Sequence, residues 1–116
     1  MMEKLFAYGT LCDPATQERL LGRTLGAGCP DTLRGYRLSR LRGIHTDYTI
    51  VQPQAGSTVS GTRYEVTDEE LALLDAYEGE AYQRVSVTLI SKTRAWLYCE
   101  NPRSRFSHHI EPLESN

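Results

Sequence analysis

The stretch VTDEELALLDAYEG, Val66 to Gly79, constrains the fold more than any other part of this chain, because it encodes both ends of a helix. Thr67 and Glu70 stand at the spacing of a capping box, in which each side chain accepts a hydrogen bond from the other residue's backbone N–H. Val66 and Leu71 occupy the two ends of a hydrophobic staple. Gly79 supplies a residue free to take the left-handed conformation that closes a helix. The spacing therefore predicts a helix from Asp68 to about Glu78. Its leucines need an apolar surface to lie on, and the flanking segments say what that surface is.

Those segments read as strands. Lys4 to Gly9 is short and apolar, and Asp13 with Pro14 then supplies an N-cap and a proline at the first helical position, predicting a helix to about Leu21. Gly22, Gly26, Gly28 and Pro30 break that helix, and extended structure resumes around Leu33 to Arg42. Tyr48 to Gln52 is rich in β-branched residues and ends at Pro53. Gln54 to Ser57 has the composition of a turn, and Thr58 to Val66 reads as the next strand. Tyr82 to Ile90 alternates bulky and polar residues, and Arg94 to Cys99 follows a turn at Ser91 to Thr93. About six strands in meanders with two helices place the chain in the α+β class. The expected architecture is a small, strongly curved or closed sheet. From Asn101 the chain is polar, with Pro102, Pro112 and a His108-His109 pair. A single domain over residues 1–100 with a lightly tethered tail over 101–116 is expected.

Composition narrows the function classes. A chain of 116 residues that is 40% hydrophobic suits one core, and a net charge of −2 offers no basic field for nucleic acid or anionic membrane. No apolar run approaches the about 20 residues of a membrane span, and the first residues lack a signal-peptide pattern. The expectation is a soluble cytoplasmic protein, a monomer or weak homodimer, whose partner is a small polar molecule. Its three cysteines, Cys12, Cys29 and Cys99, lack C-x-x-C spacing and read as free thiols.

Two features point to chemistry. Leu71, Leu74 and Glu78 lie at i, i+3 and i+7, so an acid shares the helix face of the core leucines. A carboxylate withdrawn from water holds its proton more tightly, as a general acid or base working near neutral pH must. The helix dipole and Asp75, one turn earlier, are expected to raise its proton affinity further. Alternatively, Glu78 bends out to solvent, as helix-terminal glutamates often do. Asp75 itself reads as structural, a cap or the partner of an arginine. The second feature is LFAYGTLCDP, Leu5 to Pro14, where an apolar strand runs through a tight Tyr-Gly-Thr turn into a helix and leaves backbone N–H groups available to an anion.

Together, the YGTL turn at Tyr8 to Leu11 and the segment LDAYEGEAYQR from Leu74 to Arg84 resemble the γ-glutamylcyclotransferase-like, or AIG2-like, family. In that family a YG[ST]L turn and an acid within L-D-x-[FY]-E-G-x-x-Y-x-R build one pocket. The likeness extends to Leu33–Tyr36, the arginine-rich strand to Gly43, and V-x-G-x-x-Y at Val59 to Tyr64. It implies a small mixed, closed or nearly closed β-barrel with two flanking helices, and an enzyme that cyclises a γ-glutamyl amide to 5-oxoproline and releases the amine without metal or cofactor. By position, Glu78 matches the catalytic acid/base, and Tyr8, Gly9, Thr10, Leu11, Cys12 and Asp13 match the turn that holds the γ-glutamyl group. Tyr82 and Tyr98 correspond to aromatic positions lining the pocket. Where many members carry an apolar dipeptide such as Tyr-Pro, this chain has His45-Thr46-Asp47-Tyr48, a change at the rim that admits the leaving group.

Rival readings remain. The same pocket would serve a non-catalytic module that binds a γ-glutamyl or amino-acid-like ligand. Cys12 beside a helix start is a candidate nucleophile with His45 as its base, set against burial as a plain core thiol. His108 and His109 are either metal ligands or solvated tail residues. Arg34, Arg37, Arg40 and Arg42 form either a site for phosphate or an acidic carrier, or a solvated strand face. Trp96 and Tyr98 alternate on the last strand as core or pocket wall, and Tyr77 reads as a packing residue.

Overall fold

The computed structural model describes residues 2–43, 47–104 and 109–113. Strand β1 (Met2–Ala7) leads through a single 3-10 turn (Thr10–Cys12) into α1 (Pro14–Leu21). The long antiparallel strands β2 (Cys29–Leu41) and β3 (Tyr48–Thr67) follow, then α2 (Asp68–Glu78), the hairpin β4 (Tyr82–Thr88) and β5 (Arg94–Glu100), and the short β6 (Ile110–Pro112). The six strands form one mixed sheet in the order β4-β5-β1-β3-β2-β6. β1 and β5 run parallel and every other pair is antiparallel.

The sheet is a curled half-barrel and does not close into a ring. Curling brings Phe6, Leu33, Val51, Val59, Leu97 and Cys99 into one inner cluster, although β2 and β5 are not neighbours in the sheet. The turn after β4 reaches across to β2, where Ile90 N–H donates to Thr32 C=O at 2.9 Å. The Asp31 carboxylate fastens the same bridge, accepting from Ser91 Oγ at 2.6 Å, Thr32 N–H at 2.9 Å and Arg63 Nε at 3.0 Å. Gly61 lets β3 press against β1: a Cβ there would sit 2.5 Å from Ala7 O and 2.6 Å from Phe6 Cζ, closer than atoms pack.

Both helices lie on the outer face, where Leu5, Ala7, Leu11, Tyr64, Val66, Leu71, Leu74 and Tyr98 form a second cluster. The sequence signals at α2 hold in detail. Thr67 Oγ1 accepts from Glu70 N–H at 3.1 Å, and Glu70 Oε1 accepts from Thr67 N–H at 2.9 Å. Gly79 does end the helix at positive φ (73°), although its ψ of −163° differs from the left-handed helical closure expected. At α1, Asp13 Oδ2 accepts from Thr16 N–H at 3.1 Å, and Gly22 closes the helix in the left-handed conformation.

Three expectations are corrected. Pro53 does not end a strand, and Gln54 to Ser57 is not a turn between strands, because β3 runs unbroken. Between the pairs Arg34↔Thr58 and Tyr36↔Pro53, two residues of advance on β2 meet five on β3, a wide bulge in which Gly35 (φ 84°) and Gly56 (φ 85°) take the left-handed conformation. The segment read as a loose tail adds β6 to the sheet, where Glu111 accepts from Arg40 at 2.7 Å and Arg42 at 2.9 Å. Those two arginines thus clamp a strand, which places them away from the phosphate-site reading. Finally, β1 stops at Ala7, and the 3-10 turn separates it from α1.

Candidate active site

The 3-10 turn presents the Tyr-Gly-Thr-Leu backbone. Its own hydrogen bonds run from Cys12 N–H to Gly9 C=O (2.9 Å) and from Asp13 N–H to Thr10 C=O (3.0 Å), so the turn does not consume the Thr10 and Leu11 amides. Leu11 is buried, and Gln17 holds the turn to α1 by donating from Nε2 to Leu11 C=O at 2.7 Å. A Cβ at Gly9 would meet only Thr49 Cβ, at 3.6 Å, so packing within the chain does not demand glycine there.

Facing this turn is the end of α2. Glu78 is half-buried at the last helical position and lines a hollow together with Phe6, Ala7, Tyr8, Gly9, Thr10, Leu11, Thr49, Tyr82 and Tyr98. The hollow opens to solvent, and with that open space counted it encloses about 330 Å³. Desolvation pushes the Glu78 carboxyl up to about 7. Three phenols stand around it. Tyr8 donates to Tyr98 C=O at 2.5 Å, Tyr82 donates to Thr49 C=O at 2.9 Å, and Tyr98 donates to Asp75 Oδ1 at 2.7 Å. All three are raised above the ordinary tyrosine value, chiefly by burial and further by the nearby Glu78 charge, so they stay neutral donors.

A second, wider groove adjoins the first, sharing Glu78, Tyr82 and Tyr98 and adding Asp75, Gly79, Arg84 and Trp96. Arg84 grips Asp75 with two prongs, Nε to Oδ1 at 2.8 Å and Nη2 to Oδ2 at 3.1 Å, and lies over the Trp96 ring at 4.3 Å. Burial works to raise Asp75, but the hydrogen bonds from Arg84 and Tyr98 outweigh it and hold the carboxyl below its ordinary value. Asp75 is thus the structural, Arg-paired acid that the sequence suggests. The expected push of its charge on Glu78, and that of the helix dipole, are not among the causes of the Glu78 shift, for which burial alone accounts.

Seven of the nine predicted site residues line the hollow: Tyr8, Gly9, Thr10, Leu11, Glu78, Tyr82 and Tyr98. Cys12 and Asp13 do not. The Cys12 thiol donates to Ala7 C=O at 3.4 Å and packs against the outer cluster, and burial raises its pKa, the opposite of an activated nucleophile. Asp13 is occupied as the cap of α1. The base once considered for Cys12, His45, lies outside the described residues, as does His108. Tyr77 is exposed, so it is not a packing residue. Among the described residues, no three His, Cys, Asp or Glu side chains converge to hold a metal ion, and no helix is long and apolar enough to cross a membrane. The lining residues Phe6, Ala7 and Thr49 were not anticipated. Phe6 and Ala7 follow from extending the YGTL turn back into β1, whereas Thr49 reaches the site only through the pairing of distant strands.

The protein is a curled α+β half-barrel in which a half-buried carboxyl at a helix end and a glycine-threonine turn line one small hollow. The chain belongs to the gamma-glutamyl cyclotransferase, AIG2-like family, whose model matches residues 5–115. It is 30% identical over 108 residues to protein AIG2 C of Arabidopsis thaliana, covering 85% of this chain and 64% of that protein. It is 31% identical over 115 residues to AIG2-like protein A of the same plant, covering 87% of this chain and 66% of that protein. The chain therefore spans just under two thirds of the length of these relatives. A solved gamma-glutamyl cyclotransferase superposes with a TM-score of 0.73 at 16% identity, over 87% of this chain and 68% of that one, a likeness of fold.

Proposed function

We propose that this chain cyclises a γ-glutamyl amide to 5-oxoproline and releases the attached amine, with Glu78 moving the protons. The observation that carries this reading is the half-buried Glu78 carboxyl lining the same hollow as the Gly9-Thr10-Leu11 turn. The substrate α-amine is mostly protonated at neutral pH, and an ionised Glu78 can take that proton. The freed nitrogen attacks the γ-carbonyl carbon, forming the lactam C–N bond. Glu78 returns the proton to the amide nitrogen as the original C–N bond breaks, and the surplus proton on the new ring nitrogen leaves with the amine, which departs as an ammonium. Such proton transfer contributes on the order of 10²–10⁴-fold. A carboxyl with a pKa of about 7 is suited to both halves of the cycle.

Ring closure joins two parts of one molecule, so the protein mainly has to hold the glutamyl unit folded. Effective molarities in such reactions reach about 10⁵ M or more, which is why few catalytic groups suffice. The Thr10 and Leu11 amides are available to the substrate α-carboxylate or to the oxyanion formed during attack.

The test is direct: incubate the protein with γ-glutamyl amino acids, γ-glutamylamines and a γ-glutamyl group on a carrier, and measure 5-oxoproline. Product from at least one class is expected, and Glu78→Gln should lower its rate about 10²–10⁴-fold while the fold is kept. Ligand binding without product from any class would overturn the enzymatic reading in favour of a binding module.

A further inference from the structure

Among the described residues lining either hollow, the charged side chains are Glu78, Asp75 and Arg84. Asp75 lies one helical turn before Glu78, the spacing at which two carboxylates repel. The groups lining the hollows with Glu78 from other elements are Tyr8 just after β1, Tyr82 and Arg84 from β4 and Tyr98 from β5, while β3 contributes the uncharged Thr49. The tyrosines are neutral throughout the working range, so any change in local charge has to come from Asp75 and Arg84. Arg84 meets Asp75 with two parallel bonds, and the Trp96 face fixes its plane. Trp96 is itself tied down, donating from Nε1 to Glu3 Oε1 at 3.0 Å. The Tyr98 hydroxyl donates at 2.7 Å to the same Asp75 Oδ1 that accepts from Arg84 Nε.

We propose that Arg84 is a positioning residue for the site: through Asp75 it pins the Tyr98 ring on the wall shared by the two hollows and balances the Asp75 charge one helical turn from Glu78. A guanidinium is needed for both tasks, because a two-pronged, stacked contact holds direction as well as charge. This inference rests on the reading of Glu78 as the proton-moving group, but its central claim is about the titration of Glu78 and is open to measurement without turnover.

The experiment is a charge cycle read by carboxyl NMR on protein with ¹³C-labelled glutamate, the Glu78 signal being assigned by its loss in Glu78→Gln. In Arg84→Met the uncovered Asp75 charge should move the Glu78 midpoint up by about half a pH unit, since the pair is partly exposed and water screens it. In Asp75→Asn the uncovered Arg84 should move the midpoint down by a similar amount. The double variant should return close to wild type, an outcome that a merely structural role does not produce. The acidic limb of the kcat/KM profile should follow the same order. A folded Arg84→Met that leaves the Glu78 midpoint in place overturns the proposal. So does a double variant shifted as far as Arg84→Met. Should Arg84→Met fail to fold, the downward shift in Asp75→Asn decides. Absence of product in wild type would instead count against the cyclisation reading and leave the NMR cycle to decide this one.

Discussion

Asp31 and Glu78 are both carboxyls withdrawn from water, and they titrate in opposite directions. Asp31, with its side chain only 1% exposed, lies at the seam where the β4–β5 turn meets β2. Burial works to raise it, but donors from Ser91, Thr32 and Arg63 outweigh the loss of solvent, and its pKa falls. Glu78 receives no hydrogen bond from a described residue; burial acts on it unopposed and brings it to about 7. Burial alone therefore does not set a carboxyl's role. A satisfied carboxylate becomes a fastener, and an unsatisfied one keeps a proton to exchange.

Removing each acid should give opposite results, and the largest effect on stability belongs to Asp31. Asp31→Ala leaves Arg63 and Ser91 without their acceptor at a buried seam and is expected to cost about 3 kcal/mol in urea unfolding. Because the native pKa of Asp31 is lowered, its contribution is fully present above the ordinary carboxylate range and is lost as pH falls through the native value.

Glu78 has the reverse sign. Its native value of about 7 exceeds the ordinary 4.5, so as pH rises between them the unfolded chain releases this proton first and stability falls, levelling off above 7. Glu78→Gln should therefore be more stable than wild type at pH 8 by about 2 kcal/mol, since the full shift corresponds to about 3 kcal/mol and water in the open hollow screens part of it, with the gap closing near pH 4. An equal or lower melting temperature for Glu78→Gln at pH 8 would show that Glu78 carries no desolvation cost, and the contrast with Asp31 would collapse.

How much of this was open to a reader of the sequence follows from the range of each signal. The capping box of α2, its glycine stop and the placing of Glu78 with Leu71 and Leu74 are encoded within about three turns of one helix, and all were legible. The turn at Gly9 to Leu11 was legible for the same reason. Cys12 and Asp13 misled because adjacency in sequence is not adjacency in space: the 3-10 turn directs the thiol back to Ala7 and leaves Asp13 to cap α1. Pro53 misled because the ladder is already interrupted beside it, so a missing N–H costs little there. Thr49, β6 and the Asp31 seam were hidden. Each depends on contacts between distant segments, such as the 60-residue separation between Asp31 and Ser91, that leave no periodicity behind.

The finest test of the contrast is to make Asp31 slightly more like Glu78. Ser91→Ala deletes the shortest of the hydrogen bonds to Asp31, at 2.6 Å, while leaving Thr32 and Arg63 in place. The loss should cost about 1.5 kcal/mol, the low end for a hydrogen bond to a charged group, because the acceptor keeps its other donors. The Asp31 titration, followed by carboxyl NMR, should move upward as one of the groups that lower it disappears. The Glu78 midpoint should not move, because Ser91 is not among the residues lining either hollow. If Asp31 kept its midpoint without Ser91, the remaining donors alone would account for its low value. The number of satisfied bonds would then no longer explain why the two buried acids part company.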